Sequence, residues 1–154
     1  MLDGRTGATI WNDVRGAEAM GRSAVAFVKG AGTVIVAPLG SAGVEAFSWP
    51  GKALLWRTPE GMGVTASPVV SDLDGDEKEE VVVGTIGGEM WVLDLATGAR
   101  LWGWKLGDAE IEADPAVADL DGDGSKDILI ASKARTLTAI GGQGTAAARA
   151  RLGK

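Results

Sequence analysis

Apolar residues come in short runs along this chain, several of them alternating with polar residues, and turn-forming residues cut each run off. In the clearest stretch the runs are Pro68–Ser71, Glu80–Thr85, Met90–Asp94 and Arg100–Lys105, parted by Asp-Gly, Gly-Gly and Thr-Gly pairs. Runs of this length between Gly-rich turns predict β-strands joined as antiparallel hairpins. A helical spacing survives beyond one turn only in Ala146–Leu152, which is rich in Ala and Arg. The chain is therefore expected to be all-β.

The strand pattern repeats. Ser67-Pro68-Val69-Val70-Ser71-Asp72-Leu73-Asp74-Gly75-Asp76 is echoed 47 positions later by Asp114-Pro115-Ala116-Val117-Ala118-Asp119-Leu120-Asp121-Gly122-Asp123, and at the same offset Glu80–Val83 matches Asp127–Ile130 and Leu93 matches Ile140. A second signature, Asp-x-x-Thr-Gly-x-x-x-Trp, holds Asp3, Thr6, Gly7 and Trp11 and again Asp94, Thr97, Gly98 and Trp102; Trp56 falls between, at intervals of 45 and 46. The repeats span approximately residues 23–57 (degenerate), 66–105 and 113–152, preceded by an outer strand alone over residues 2–11. In the degenerate copy the acidic cluster is lost, with Val25-Ala26-Phe27-Val28-Lys29 where Asp72–Asp76 would map.

Four antiparallel strands recurring every ~40–50 residues are the expected blade of a β-propeller. The expectation is one domain over residues 1–154, a partial β-propeller of about three four-stranded antiparallel blades plus one N-terminal outer strand. Propellers usually have about 4 to 8 blades, so either the chain is a fragment of a longer one, which a start in the middle of a repeat without a signal peptide favours, or copies assemble to close a ring. The third repeat should end in an outer strand, yet Thr145–Leu152 favours helix and carries Arg149 where the register expects Trp. Leu2–Trp11 has the opposite character, so two copies could pair head to tail as a six-bladed ring, each N-terminal strand completing the partner's third blade. In a longer parent protein the same strand would belong to a preceding blade.

Composition narrows the function. With 24 Gly and 5 Pro among 154 residues the chain is dense in turns, while 45% hydrophobic and 23% charged residues suffice for an ordinary core. There is no His, Cys or Tyr, which removes the common zinc ligands, thiol chemistry, disulfides, histidine general bases and phenolic acids. No catalytic constellation is expected. A net charge of −6 argues against nucleic acid as a partner. No run approaches the roughly 18 apolar residues of a membrane span, and no signal peptide is visible.

The acid is concentrated in two loops. Asp72, Asp74, Asp76 and Glu80 stand at loop positions 1, 3, 5 and 9, and Asp119, Asp121, Asp123 and Asp127 stand at the same four. Packed carboxylates repel by about 4 kcal/mol per pair at ~4 Å and an effective dielectric near 20, so each cluster calls for a cation. Hard oxygen ligands in a flexible loop suit Ca²⁺ better than Mg²⁺, with the backbone carbonyls of Lys78 and Ser125 at position 7 completing each shell. An EF-hand fails on spacing, because position 12 would be Val83 or Ile130 instead of a bidentate Glu. The plainer alternative is a solvated Asx-turn between two strands. Two in-register copies favour metal, and two Ca²⁺ sites are expected. Trp11, Trp56 and Trp102 are expected to pack between blades, with a stacking platform for sugar or quinone as the alternative. Trp49, Trp91 and Trp104 lie off that register, with Trp91 and Trp104 expected on a sheet face.

The segments Asp72–Glu80 and Asp119–Asp127 resemble the FG-GAP or VCBS repeats of calcium-binding propellers, and the Asp-x-x-Thr-Gly-x-x-x-Trp segments are similar to the outer-strand motif of PQQ-like, quinoprotein-type propellers. Hybrids of the two are common in secreted bacterial proteins. The resemblance implies that the strand at Pro68 is innermost and that of Trp102 outermost, and that calcium pins the loop between the first two strands. It also implies an extracellular or periplasmic place. Three functions stay open: a calcium-stabilised scaffold binding a glycan or protein ligand, a fragment of a propeller enzyme (quinoprotein dehydrogenase or polysaccharide lyase), and spacer blades of a larger surface protein. Partners would then be a second copy or the remaining blades of a longer chain.

Overall fold

A computed structural model describes residues 3–12, 18–30, 32–59 and 61–141. Among these residues eleven strands form three antiparallel sheets in which chain order is spatial order, and no helix occurs. Blade 1 holds β1 (Ala24–Val28), β2 (Gly32–Pro38), β3 (Val44–Trp49) and β4 (Leu54–Arg57). Blade 2 holds β5 (Val69–Ser71), β6 (Glu80–Gly84), β7 (Glu89–Asp94) and β8 (Arg100–Lys105). Blade 3 holds β9 (Ala116–Ala118), β10 (Asp127–Ser132) and β11 (Thr136–Ile140). The outer strand or helix expected at Thr145–Leu152 lies outside the described residues. β1 runs beside β5 and β5 beside β9, so the first strand of each blade is the innermost. This is the architecture of a partial β-propeller.

Blade 1 corrects one detail of the repeat alignment. Val25–Val28 does not replace the acidic loop; it belongs to β1, whose pairing of Ala24 with Val36 matches that of Val69 with Val82 in blade 2. Residues 29–31 alone separate β1 from β2, whereas residues 72–79 separate β5 from β6. The acidic loop is therefore deleted from blade 1, not rewritten in apolar residues.

Alternation along each strand sends side chains to two faces, and stacked blades bury both. Val36, Val44, Ala46 and Trp56 of blade 1 meet Val81, Val83, Leu93 and Leu95 of blade 2. On the opposite face of blade 2, Val82, Met90 and Trp102 meet Ile128 and Ile130 of blade 3, with Leu73 and Ile111 between them. The middle blade is covered on both sides, which is why β6 reads as the unbroken run Val81-Val82-Val83, with every residue of the strand buried. Each buried aliphatic side chain contributes roughly 1.5–3 kcal/mol, so these two interfaces supply most of the fold's apolar stabilisation.

The Asp-x-x-Thr-Gly signature is a turn that receives the neighbouring blade's tryptophan. Asp94 Oδ1 accepts from Thr97 N at 2.8 Å and Thr97 Oγ1 at 2.6 Å, and Gly98 N donates to Asp94 O at 2.8 Å. Gly98 adopts φ +72° directly beneath the Trp56 ring, and Trp56 Nε1 donates to Leu95 O at 2.8 Å. A Cβ at Gly98 would collide with the ring, so the signature needs glycine both for its dihedral and for the close approach. Asp3 and Thr6 repeat the same bonds at 2.7 Å (N) and 2.8 Å (Oγ1), and Gly7 again has φ +72°. In blade 1 the equivalent turn is disguised: Ser48 O accepts from Lys52 N at 2.8 Å, and Lys52 takes φ +58° where Gly98 stands in blade 2.

The N-terminal segment lies on the free side of blade 1. Trp11 packs on Phe47 and Trp49, with ring centroids 5.6 and 6.2 Å apart, and Lys52 Nζ donates to Ile10 O at 3.3 Å. This is the relation that Trp56 bears to blade 2. The segment therefore sits where the outer strand of a preceding blade belongs, with one bridge residue, Thr9, in strand pairing.

Replacing Gly98 by Ala should lower stability by about 2–4 kcal/mol, from left-handed backbone strain plus overpacking on Trp56, read as a fall in the urea midpoint at unchanged slope. The Asp3 turn predicts a pH effect. Hydrogen bonds from Thr6, its hydroxyl first and its N–H next, hold the Asp3 carboxyl below the ordinary aspartate value. The turn is thus favoured above the unfolded carboxyl's pKa and released as pH falls through the lowered one, which the Thr6 amide shift in an NMR titration should follow.

Candidate metal centres

Both acidic loops are built by the same hydrogen bonds, residue for residue. Asp72 Oδ1 accepts from Gly75 N at 2.7 Å and its Oδ2 from Glu77 N at 3.0 Å; Asp119 Oδ1 and Oδ2 accept from Gly122 N at 2.7 Å and Gly124 N at 2.9 Å. Position 1 therefore ties down positions 4 and 6 of each loop. Position 4 is glycine at φ +78° and +80°, and position 6 also has positive φ, as Gly124 in one loop and Glu77 at +65° in the other. Position 3 accepts from the N–H of position 5, at 3.3 Å for Asp74 and 3.1 Å for Asp121.

Position 9 closes each loop from below. Glu80 opens β6 and Asp127 opens β10, and both are buried. Glu80 Oε2 accepts from Leu73 N at 2.9 Å, and Asp127 Oδ2 accepts from Leu120 N at 2.7 Å. The shorter aspartate reaches the same N–H as the longer glutamate, so the two loops differ by one methylene and keep one geometry.

These constraints bring three carboxylates together in each loop. Oxygens of Asp72, Asp74 and Glu80 lie within 4.8 Å of one another, and so do those of Asp119, Asp121 and Asp127. Anionic oxygens this close repel by about 3–4 kcal/mol per pair at an effective dielectric near 20. A hard divalent cation would turn that repulsion into ligation. Position 5 stands outside each trio. Asp76 Oδ1 accepts from Lys78 N at 2.9 Å and Asp76 Oδ2 from Lys78 Nζ at 3.2 Å, while Asp123 Oδ1 accepts from Ser125 N at 2.7 Å. Lys78 and Ser125, expected to contribute carbonyls, thus engage the position-5 carboxylates through their N–H groups.

The two loops share one end of the molecule. A cavity of about 250 Å³ lies between them, lined by Asp72, Leu73, Asp74 and Gly75 from one and Gly124, Ser125 and Lys126 from the other. Two further features escaped the sequence reading. Ser67 Oγ accepts from Arg22 N at 2.9 Å and Asp114 Oδ1 accepts from Ser67 N at 2.7 Å, so the residue ahead of each inner strand is tied to its counterpart in the next blade. The in-register positions Ser67 and Asp114 carried that signal. At the tryptophans, Trp56 and Trp102 are buried between blades, Trp91 is half-buried with the Arg100 guanidinium 4.1 Å from its ring centre, and Trp104 is exposed.

Comparison with known proteins agrees with this layout. Residues 72–130 match the family model of the FG-GAP-like repeat, a span that contains both loops. Among solved structures, BamB from Moraxella catarrhalis, a β-propeller, superposes with a TM-score of 0.69 at 22% identity, covering 90% of this chain and 38% of its own. The computationally designed Ika4 protein gives 0.53 at 16% identity over 75% of this chain and 62% of its own; the designed Ika8 protein gives 0.52 at 18% over 75% and 31%. The chain thus spans well under half the length of BamB. No curated protein matches it.

The position-9 carboxylate gives a test that needs no metal. Asp127→Asn keeps an oxygen for Leu120 N–H and removes one negative charge from the trio, so its urea midpoint in chelator should equal or exceed that of the parent. Asp127→Ala strands the N–H and should cost about 1–3 kcal/mol.

Proposed function

We propose that the chain is a calcium-binding β-propeller segment that serves as a binding and interaction scaffold, with one Ca²⁺ in each acidic loop bracing the connection between the first two strands of blades 2 and 3. The observation that carries the reading is the duplicated trio: Asp72, Asp74 and Glu80, and Asp119, Asp121 and Asp127, gathered within 4.8 Å by the same set of backbone hydrogen bonds. All-oxygen donors of this charge suit Ca²⁺, and loop flexibility suits its variable coordination. Asp74 and Asp121 would be exposed ligands, and Glu80 and Asp127 buried ones. Asp76 and Asp123 would join by rotating off their backbone N–H partners, with the carbonyls of Lys78 and Ser125 beside them. Blade 1, which lacks the loop, would bind none.

The metal's role here is mechanical. Ligation holds a long loop in one arrangement and offsets the mutual repulsion of its carboxylates, so calcium binding adds directly to folding stability. The FG-GAP-like match and the propeller architecture support a scaffold that presents loops for recognition of a glycan or protein. The Asp94-Thr97-Gly98 turn with Trp56 buried on it supports the PQQ-like half of the hybrid reading as a packing device. Calcium sites of the affinity predicted below would fill in an extracellular or periplasmic setting, and no helix among the described residues is long and apolar enough to cross a membrane.

Calorimetry should find two Ca²⁺ per chain with Kd of about 10⁻⁴ to 10⁻³ M. Saturating calcium at 100 times Kd should add about 2.7 kcal/mol per site to unfolding, seen as a higher melting temperature than in EDTA. Asp74→Ala or Asp121→Ala should each remove one site. A stoichiometry of zero, or identical melting in EDTA and calcium, defeats the proposal.

A further inference from the structure

Blade 3 presents to solvent the same face that blade 2 buries. At the 47-residue offset, Leu73, Val82, Met90 and Val92 of blade 2 correspond to Leu120, Leu129, Leu137 and Ala139 of blade 3. The first four are sealed against blade 3, with Leu73 3% and Met90 0% exposed. Of their counterparts, Leu120 (54%), Leu137 (69%) and Ala139 are exposed and Leu129 is half-buried. The difference extends to the acidic loops, whose backbone-donated hydrogen bonds match: Asp72 is half-buried and Asp119 exposed.

Blade 1 offers the complementary face. Its Val25, Ile35 and Phe47 hold the register positions of Val70, Val81 and Leu93, which blade 2 turns toward blade 1. Ile35 and Phe47 are buried, with Trp11 packed on Phe47, but the inner part of the face is bare: Val25 is 65% and Phe27 72% exposed. The molecule thus contains two working copies of one interface, blade 1 on blade 2 and blade 2 on blade 3, and both unused halves of a third.

We infer that a second copy of this chain covers these faces, blade 3 of each copy docking on blade 1 of the other, so that two chains form a ring of six blades. The N-terminal segment shows how the joint is made. Trp11 already lies on blade 1 in the place of a preceding blade's outer-strand tryptophan, so a partner's blade 3 docked on that face stands beside it. Charge agrees as well. Within the molecule, positions 1–4 of the blade 2 loop face positions 6–8 of the blade 3 loop across their shared cavity. At the new joint, Asp119 and Asp121 come to the side of Lys29, on the short hairpin that replaces the acidic loop in blade 1. A heterologous contact of this kind closes when its rotation permits and otherwise propagates as a filament.

Sedimentation equilibrium and light scattering on the 154-residue chain should give twice its 15.7 kDa mass. Leu137→Glu and Phe27→Glu each place a charge on one exposed half of the joint, where folding does not depend on them, and each alone should return the mass to that of one chain with an unchanged circular dichroism spectrum. Mixing the two variants should restore a pair, because one intact blade 3 face then meets one intact blade 1 face. A parent chain of single mass at high micromolar concentration overturns the inference and leaves further blades of a longer chain as the occupant. So does a pair that survives both substitutions, or a mixture that stays monomeric. Polydisperse growth without a limiting mass overturns the closed ring.

Discussion

Every level of this structure depends on the burial of two-faced sheets against one another. A blade such as β5 to β8 has apolar residues on both sides, and no hairpin of its own can cover either; only another blade can. Val82, Met90 and Val92 face one neighbour and Val81, Val83 and Leu93 the other, so the sheet is stable only as a member of a stack. Local strand propensity makes the sheets available, and the stacking decides where they go.

The polar features serve that stacking. Asp94 and Thr97 spend their hydrogen bonds on shaping a turn whose Gly98 admits the Trp56 ring, which converts a local turn into a blade-to-blade contact. Arg22 N to Ser67 Oγ and Ser67 N to Asp114 Oδ1 tie the inner ends of neighbouring blades in the same sense. The acidic loops crown this frame at one end. Because Glu80 and Asp127 open the buried second strands, the rigidity of the stack is carried directly into the base of each loop, and the exposed Asp74 and Asp121 are held over a fixed floor.

Sequence position and side-chain direction part company at loop position 5. By spacing, Asp76 and Asp123 belong to the carboxylate set as much as Asp74 and Asp121 do. In space, the N–H two residues on captures Asp76 and Asp123, as the N–H two residues on captures Asp74 and Asp121, and Lys78 Nζ adds a second hold on Asp76. An Asx-turn is a strictly local preference, and nothing in the 1, 3, 5, 9 pattern says which aspartates keep an oxygen turned inward.

The repeat itself was legible in the sequence because it is written in residues with narrow physical options: glycine where φ is positive, Asp and Thr where a turn must bond its own backbone, Trp where a large ring fills an interface. These determined the strands, the turns between them, the pairing of the two loops and the interblade place of Trp56 and Trp102, while the inside-to-outside order of the strands came from the resemblance to known propeller repeats. Blade 1 was less legible, since Ser48 and Lys52 reproduce the Asp94 and Gly98 turn with other side chains and a deleted loop leaves no residues to align. What only the tertiary structure decided was contact between repeats: which of two equivalent leucines, Leu73 or Leu120, is buried, and that the Trp11 ring rests on Phe47 and Trp49 of blade 1. The pattern along a strand fixes that a face is apolar, but burial belongs to whatever stands opposite, and that is a property of neighbours in space.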